Sequence, residues 1–263
     1  MLIERFGRIR KLLGEERFSR LPGRRVTLVG LGAVGGYVAE GLVRSGIGHL
    51  RLVDYDIVQP SNINRQILAL GSTLGEQKVE AAKRRILDIN PDCIVDALPI
   101  FAGEDSLDTI LSPAPDLLID AIDSLNPKTQ LLAEAYCRKI PTLSSMGAAL
   151  RTDPRKVEVG DIFDSYNCPL ARHLRKRLRR RGIGRGILSV FSTEKVEFDY
   201  HQEDEDAEET GPYADRGRKR NALGSLPTLT GIFGLILANE AILQLSSETG
   251  PIFRGEAPCP DSL

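Results

Sequence analysis

Apolar runs of strand length alternate with segments of helical periodicity along most of the chain. Residues 25–29 and 50–53 have apolar strand patterns, and a segment of helical spacing follows each one. Further strands are predicted at 93–98, 116–123 and 140–149, and less regular ones at 157–162 and 186–191. Strands that alternate with helices are typical of a parallel sheet. The pattern therefore predicts an α/β protein with a doubly wound, mostly parallel sheet and a less regular C-terminal half.

Two further helices are predicted, one at each end of this alternation. The N-terminal arm, residues 1–22, has apolar side chains at helical spacing, which indicates an amphipathic helix. These side chains are Phe6, Ile9, Leu12 and Leu13. An apolar helix is predicted from Leu226 to about Ser246, but glycines interrupt it and a membrane span needs about 20 apolar residues. We therefore expect it to pack on the sheet or on a partner subunit, and we expect no membrane contact.

The 263 residues carry a net charge of −1, but the charges are segregated along the chain. Basic runs lie at 172–185 and 216–220, and an acidic run lies at 203–209. We predict one domain over residues 1–250, with a mobile charged loop at 202–224, and an irregular tail at 251–263. No long apolar region follows the first charged residues, so a cytoplasmic location is expected. The four cysteines form no C-x-x-C pair and indicate neither a structural zinc site nor a disulfide framework.

A glycine-rich turn follows the first predicted strand. It reads Gly30-Leu31-Gly32-Ala33-Val34-Gly35, a G-x-G-x-x-G pattern at the start of a helix. Gly30 permits a tight turn, Gly32 lets the backbone approach a phosphate, and Gly35 lets the helix pack closely on its strand. The helix N-terminus then faces an anion. Asp54, after the second strand, has the spacing of an acid that binds ribose. These features alone fit any dinucleotide enzyme.

Two cations follow Asp54 on the segment that leaves the second strand. Arg65 lies in the run Ser61-Asn62-Ile63-Asn64-Arg65-Gln66, and Lys78 begins the next predicted helix. An adenylating enzyme must stabilise charge that develops on departing pyrophosphate, and cations serve that task. An NAD-dependent oxidoreductase would leave both cations without a task, so it is the weaker alternative.

Asp123 follows the fourth predicted strand, beside the glycine turn in a parallel sheet. A carboxylate there can hold a Mg²⁺ ion that bridges phosphate oxygens. Alternatively, Asp123 caps the helix that contains residues 130–138, which would have Pro127 in its first turn. The residues alone leave both alternatives open.

A dense basic segment, residues 169–182, precedes the last predicted strand. Leu170, Leu174 and Leu178 form one narrow apolar stripe, and most of the remaining circumference is cationic. A solvated basic helix is the ordinary interpretation, but charge this dense and unbalanced favours contact with an RNA backbone. The candidate phosphate contacts are Arg172, Arg175, Lys176, Arg179 and Arg180.

Together these motifs resemble the adenylation domain of ubiquitin-activating-type enzymes. That family includes the bacterial activators of molybdopterin and thiamine sulfur carriers and the tRNA threonylcarbamoyladenosine dehydratases. The glycine turn, Asp54-Tyr55-Asp56, the run from Ser61 to Gln66, Lys78 and Asp120-Ala121-Ile122-Asp123 occur in the family's order. The basic segment and Val190-Phe191-Ser192-Thr193-Glu194 resemble the dehydratase branch.

The resemblance implies an enzyme that adenylates a carboxylate with ATP and Mg²⁺. It implies that Arg65 and Lys78 hold the phosphates, Asp54 the ribose and Asp123 the Mg²⁺. Further nucleotide contacts would come from Gly30, Gly32, Gly35, Asn62 and Gln66. It also implies a homodimer in which an N-terminal arginine reaches the triphosphate of the other subunit. Arg8 is the candidate for that role, and Arg5 is the less favoured alternative.

Several functions stay open at this level. The branch features favour cyclisation of threonylcarbamoyladenosine in tRNA. The first alternative is adenylation of the C-terminal glycine of a small sulfur-carrier protein, against which the unpaired cysteines and the basic segment count. A second is an RNA-binding protein with a degenerate nucleotide site, although every expected nucleotide-site residue is present. A sulfur-relay or redox protein stays open as a further partner.

Overall fold

The computed structural model describes residues 2–196 and 223–255, whose strands form one seven-stranded sheet. The strands are β1 (Arg25–Val29), β2 (His49–Val53), β3 (Ile94–Leu98), β4 (Leu117–Asp120), β5 (Thr142–Ser145), β6 (Val157–Asp161) and β7 (Leu188–Ser192). Their order is β3-β2-β1-β4-β5-β7-β6, and all neighbours are parallel except β6 and β7. The predicted α/β class and mostly parallel sheet are confirmed.

Helices cover both faces of the sheet, as the doubly wound prediction required. They are α1 (Leu2–Arg5), α2 (Gly7–Leu13), α3 (Glu15–Phe18), α4 (Gly35–Arg44), α5 (Lys78–Ile89), α6 (Leu107–Leu111), α7 (Leu125–Cys137), α8 (Pro169–Arg180) and α9 (Pro227–Ser246). The largest apolar cluster joins α4, α5 and α9 to one face, and another joins α6 and α7 to the other. A third cluster joins α7 and α8.

The chain reverses its direction of progress through the sheet between β1 and β4. From β1 it proceeds outward to β2 and β3, then returns to β4 on the opposite side of β1. In open parallel sheets, ligands bind at such a switch point, outside the carboxyl ends of the strands. The glycine turn follows β1 there, and the segment 121–123 follows β4. The fold thus brings two separate predicted motifs to one place.

Helix α9 packs closely on α4. A Cβ built on Gly234 would lie 2.5 Å from the Val34 carbonyl oxygen, and one on Gly41 would lie 2.6 Å from Ala238 Cβ. Glycines therefore allow the two helices to approach each other. Among the described residues, α9 alone has the length and composition of a membrane span, and half of that stretch is buried within the protein. The packing of α9 against the rest of the domain agrees with the prediction.

The N-terminal arm is not the continuous helix that its periodicity predicted. It forms three short helices, and Gly14, with φ of +81°, separates the second from the third. Phe6 and Phe18 stack with ring centroids 5.8 Å apart and cover Gly46. Leu12, which the periodicity assigned to the apolar face, is 81% exposed. The arm bends because its two anchoring rings converge on one point of the domain.

Some predictions fall partly outside the described residues. The predicted loop at 202–224 is described only at 223–224, and the predicted tail at 251–263 only at 251–255. Cys137 is disulfide-bonded, which the spacing of the cysteines did not indicate. Cys93 and Cys168 are free and buried.

Candidate nucleotide site

The glycine turn leaves open space at one glycine and none at the other two. Gly30 has φ of +92°, and a Cβ there would lie 2.8 Å from the Ala121 carbonyl oxygen. A Cβ on Gly35 would lie 1.8 Å from the Gly30 carbonyl oxygen. For Gly32, by contrast, Gln66 Nε2 at 4.0 Å is the only such neighbour among the described residues. The turn therefore forms a cradle over Gly32 in front of the N-terminus of α4, where an anion is favoured.

Asp54 joins the end of β2 to this turn. Its Oδ2 accepts a hydrogen bond of 2.6 Å from the Leu31 backbone N–H, and its Oδ1 accepts one of 2.9 Å from that of Asp56. Burial raises the pKa of the Asp54 carboxyl, and the charge of Lys78 opposes that shift. Each carboxylate oxygen has a second lone pair. Asp54 can therefore support the turn and still accept a hydrogen bond from a ribose hydroxyl.

The segment from Asn62 to Gln66 leads directly into Ile67, which packs against Gly36 at the start of α4. Asn62 is buried, and its Oδ1 accepts a hydrogen bond from the Gln59 backbone N–H, which closes the local turn. Gln66 is also buried, and its Oε1 has no hydrogen-bond partner within the described part of the chain. Arg65 is half-buried, and its Nη1 donates to Ser61 O and Asn64 Oδ1. Gln66 Nε2 lies near the open space at Gly32, so the Gln66 amide stands beside the cradle.

Lys78 lies on a segment that pairs with the chain just after Asp54. The Lys78 backbone N–H donates to Asp56 O, and Lys78 Nζ lies 2.8 Å from Asp56 Oδ2. The Lys78 side chain is only 5% exposed, whereas that of Asp56 is 46% exposed. An ammonium group has three N–H donors. The ion pair with Asp56 therefore leaves Lys78 two donors for a phosphate.

The segment after β4 carries Asp123 next to the glycine turn. Asp123 is exposed, and the N-cap of α7 is Ser124, so the alternative in which Asp123 caps that helix is wrong. Pro127 does lie in the first turn of α7, as expected. Beneath the segment lies a fully buried ion pair between Asp120 and Lys128, with Nζ 2.6 Å from Oδ2. Sequence reasoning missed Lys128 because no periodicity links it to Asp120.

The N-terminal arm is anchored away from the glycine turn. Phe6 and Phe18 contact Gly46, just beyond the C-terminal end of α4, whereas the glycine turn lies at its N-terminal end. The ten residues of α4 separate these ends by about 15 Å. Arg8 and Arg5 are both exposed on this arm. The anchor therefore lies at the opposite end of α4 from the site of the same chain.

Helix α8 divides the predicted RNA contacts into two sets. Leu174 and Leu178 are buried and Leu170 is half-buried, so the predicted apolar stripe is confirmed. Arg172, Lys176 and Arg180 are exposed and follow one another at intervals of four residues. Arg175 Nη1 instead donates to Ser165 Oγ at 2.6 Å. Arg179 is also exposed, but its guanidinium lies over the Phe163 ring at 5.1 Å. Burial lowers the pKa of Arg175.

A second group that sequence reasoning missed clamps the loops after β5 and β7. Arg151 is 2% exposed and donates to the Glu194 and Asn167 carbonyl oxygens. Glu194 Oε2 accepts hydrogen bonds from the backbone N–H groups of Thr152 and Asp153. Nothing in the local pattern around Arg151 signals these contacts, because its partners lie 16 and 43 residues away.

A doubly wound sheet, a glycine cradle at its switch point and cations beside that cradle define a nucleotide-binding protein of the adenylating class. The chain belongs to the ThiF family, whose profile matches residues 6–257. This family lies within the superfamily that the motifs resemble, so that prediction is confirmed and the oxidoreductase alternative is removed.

Named relatives in that family agree with each other. The chain is 41% identical over 193 residues to the tRNA threonylcarbamoyladenosine dehydratase of Bacillus subtilis, covering 73% of this chain and 76% of that protein. It is 35% identical over 258 residues to the Escherichia coli protein of the same name, covering 93% and 94%. The crystal structure of the Escherichia coli enzyme in complex with ATP superposes with a TM-score of 0.82 at 32% identity, covering 94% and 96%.

Proposed function

We propose that this enzyme uses ATP to cyclise threonylcarbamoyladenosine in tRNA. The carboxylate attacks the α-phosphate of ATP, pyrophosphate leaves, and the acyl-adenylate closes intramolecularly with loss of AMP. The observation that carries the proposal is the open cradle over Gly32, at the switch point of the sheet, with the Gln66 amide beside it. The names of the relatives supply the substrate. No enzyme nucleophile is needed, because the ring closes within the activated substrate, and ATP cleavage coupled to bond formation makes the enzyme a ligase by class.

Each proposed nucleotide contact follows from its place around the cradle. The backbone N–H groups of the turn and the N-terminus of α4 receive the phosphates. Arg65 and Lys78 stabilise the charge that develops on pyrophosphate. Asp54 accepts a hydrogen bond from the ribose, and the Gln66 amide beside Gly32 supplies a further nucleotide contact. Asn62 acts through the turn that it closes, since its Oδ1 is already used there.

Mg²⁺ is the proposed metal, and Asp123 is its proposed protein ligand. Among the described residues no group of three or more His, Cys, Asp or Glu side chains could hold a metal on its own. Mg²⁺ characteristically binds one or two carboxylates together with substrate phosphates, so a single exposed carboxylate beside the cradle fits that ion. When bound, it neutralises charge on the phosphate oxygens.

Loss of either charged group should abolish turnover without loss of the fold. We expect Arg65→Ala and Asp123→Ala to reduce AMP formation by about 100- to 1000-fold, as for removal of one group that stabilises transition-state charge. Within the described part of the chain, the Arg65 side chain bonds only to its own turn, so its removal should leave the melting temperature unchanged. The measurement is AMP release from ATP and modified tRNA.

Arg44→Ala is the matched control, since Arg44 lies at the far end of α4 in an ion pair with Glu40. It should retain wild-type turnover. Wild-type AMP release by Arg65→Ala or Asp123→Ala would show that the site is assigned to the wrong residues.

We propose a homodimer in which Arg8 of one subunit contributes to the active site of the other. The arm is anchored at the end of α4 opposite the glycine turn, which favours contact of Arg8 with a partner's triphosphate. Mixing Arg8→Ala chains with Arg65→Ala chains should restore activity, because one of the two composite sites in each mixed dimer is then intact. If mixed dimers form but gain no activity, Arg8 does not act in the partner's site. Arg5→Ala tests the alternative in the same way.

Modified tRNA is the favoured substrate over a sulfur-carrier protein, and the exposed cations of α8 support this choice. ATP–pyrophosphate exchange stimulated by threonylcarbamoyladenosine-modified tRNA, and not by a carrier protein that ends in glycine, would support the proposal. The opposite result would favour the carrier alternative. A cytoplasmic location and a relay or redox partner protein both stay proposals, and neither is needed for the reaction.

A further inference from the structure

Lys128 is a fully buried charged side chain that the proposed reaction does not use directly. Its Nζ lies 2.6 Å from Asp120 Oδ2, and both side chains are 0% exposed. A buried ion pair often contributes little net stability, because desolvation of both charges offsets their attraction. The contacts of this pair with its surroundings therefore indicate its role better than the pair itself.

The pair forms hydrogen bonds with both backbone polar groups of Ile122. Lys128 Nζ donates to the Ile122 carbonyl oxygen at 3.0 Å, and the Ile122 backbone N–H donates to Asp120 Oδ1 at 3.1 Å. Ser144 Oγ, on the neighbouring strand β5, donates to Asp120 Oδ2 at 2.6 Å. The conformation of Ile122 is thus fixed from the start of α7, from the end of β4 and from β5.

Ile122 stands between the two residues of this loop that face the nucleotide site. The Ala121 carbonyl group lies so close to Gly30 that a Cβ there would be 2.8 Å from its oxygen. Asp123 follows Ile122 directly and is exposed at the carboxyl end of β4. The direction of the Asp123 carboxylate therefore depends on how the backbone of Ile122 is held.

We infer that Lys128 is a positioning residue: by holding the Ile122 carbonyl group together with Asp120, it directs Asp123 toward the Mg²⁺ that the nucleotide carries. The inference rests on the proposed function, because it takes Asp123 as the metal ligand. Residues that orient a ligand without contacting the metal typically affect metal affinity. Lys128 thus links the first turn of α7 to the metal side of the nucleotide site.

The decisive variant removes both charges of the pair. Lys128→Met alone leaves the Asp120 charge buried and unpaired, which threatens the fold. The double variant Asp120→Asn, Lys128→Met removes that difficulty, because an asparagine at 120 can still accept from the Ile122 N–H through Oδ1 and can donate from Nδ2 to Ser144 Oγ. It lacks the bond from Nζ to the Ile122 carbonyl oxygen. Lys128→Arg keeps a charged donor and serves as the rescue variant.

The measurement is ATP binding by isothermal titration calorimetry, once with Mg²⁺ and once with EDTA. The Kd in EDTA divided by the Kd with Mg²⁺ reports how much the metal contributes to ATP binding, and its measurement needs no turnover. We expect the double variant to reduce this ratio by about 10- to 100-fold, the usual size for residues that orient a metal ligand. Its Kd in EDTA should match the wild-type value, and Lys128→Arg should recover most of the ratio. Ser144→Ala, which keeps the Nζ contact, is the matched control and should keep the wild-type ratio.

A folded double variant with the wild-type ratio overturns the inference, since the pair is then purely structural. Asp123→Asn separates this failure from failure of the proposed function. If Asp123→Asn loses the ratio and the double variant keeps it, the metal assignment stands and only the role of Lys128 is wrong. If Asp123→Asn itself keeps the ratio, the metal assignment and the inference both fall. If the double variant does not fold, an unchanged ratio in Lys128→Met, which also lacks the Nζ donor, would equally overturn the inference.

Discussion

In the two halves of the sheet, different kinds of interaction hold the loops at the carboxyl ends of the strands. Around β1, β2 and β4 the site consists largely of backbone: a glycine turn with φ of +92° at Gly30, and an acid, Asp54, that bonds to the Leu31 N–H. Around β5 and β7 the loops are instead clamped by side chains. Arg151 donates to the Glu194 and Asn167 carbonyl oxygens, and the Glu194 carboxylate accepts from the backbone N–H groups that directly follow Arg151.

This difference separates common chemistry from substrate choice. A backbone cradle with adjacent cations handles ATP in the same way whichever carboxylate is activated. The clamped half carries α8, whose exposed cations Arg172, Lys176 and Arg180 belong to the proposed substrate contact. Three predictions test the comparison, in order of decreasing effect.

The largest effect is expected from one added methyl group in the backbone-built half. Gly35→Ala places a Cβ 1.8 Å from the Gly30 carbonyl oxygen and should cost about 3 kcal/mol of the free energy of unfolding, the upper range for overpacking. Gly32→Ala, the matched substitution in open space, should leave the free energy of unfolding unchanged. It should nevertheless raise the Kd for ATP about tenfold, because its methyl group fills the cradle. That change corresponds to a loss of about 1.4 kcal/mol of binding free energy.

Urea unfolding and calorimetric ATP titration of both variants check this prediction. If Gly32→Ala binds ATP with wild-type affinity, the phosphates do not approach the backbone there, and the nucleotide half is not the site that the comparison assumes.

An intermediate effect is expected on α8, in the half proposed to bind tRNA. Replacing the exposed stripe Arg172, Lys176 and Arg180 with Gln should weaken tRNA binding and lower the slope of log affinity against log salt by about two to three units, somewhat under one per lost phosphate contact. ATP affinity should not change, because the cradle lies at β1. The measurement is filter binding of tRNA over a range of salt concentrations.

The matched control removes three charges that are already engaged on the same helix. Arg175 bonds to Ser165 Oγ, Arg177 to Asn126 Oδ1, and Arg179 covers the Phe163 ring. Their replacement by Gln should reduce the slope less than replacement of the stripe. Equal slopes for both triple variants would mean that only the net charge of α8 matters, and a wild-type slope for the stripe variant would favour a solvated face.

The smallest effect concerns Glu194 in the side-chain clamp. Hydrogen bonds from the Asp153 backbone N–H and from Thr152 hold the pKa of Glu194 below its ordinary value. A carboxyl with a depressed folded pKa adds stability above its unfolded pKa of about 4.3 and loses it as the pH falls through the folded pKa. Glu194→Gln should therefore lower the melting temperature slightly at pH 7, with a difference that shrinks below pH 4.

ATP affinity should not respond to Glu194→Gln at any pH, since the clamp lies outside the cradle. A difference in melting temperature that stays constant from pH 7 to well below pH 4 would contradict the pKa shift. A change in ATP affinity would contradict the separation of the two halves.

Most of the sheet could be predicted because each strand is a short apolar run between polar segments. The nucleotide turn could be predicted because its geometry is demanding: only glycine adopts φ of +92° easily at Gly30 and leaves the carbonyl contact at Gly35 free of a clash. The prediction of a single helix for the arm was wrong, because periodicity shows which positions are apolar but does not show that Phe6 and Phe18 converge on one point. The alternative of Asp123 as a cap failed by one residue, at Ser124.

By itself, the sequence determined the class of fold, the phosphate turn and the family, since these depend on residue types within short windows. Only the tertiary structure decided which charges are available. It buried Lys128 against Asp120, paired Lys78 with Asp56, and assigned Arg175 to Ser165 while Arg172 stayed exposed. The physical reason is that the strength and the role of a charge depend on its burial and its partners, and those partners lie far away along the chain.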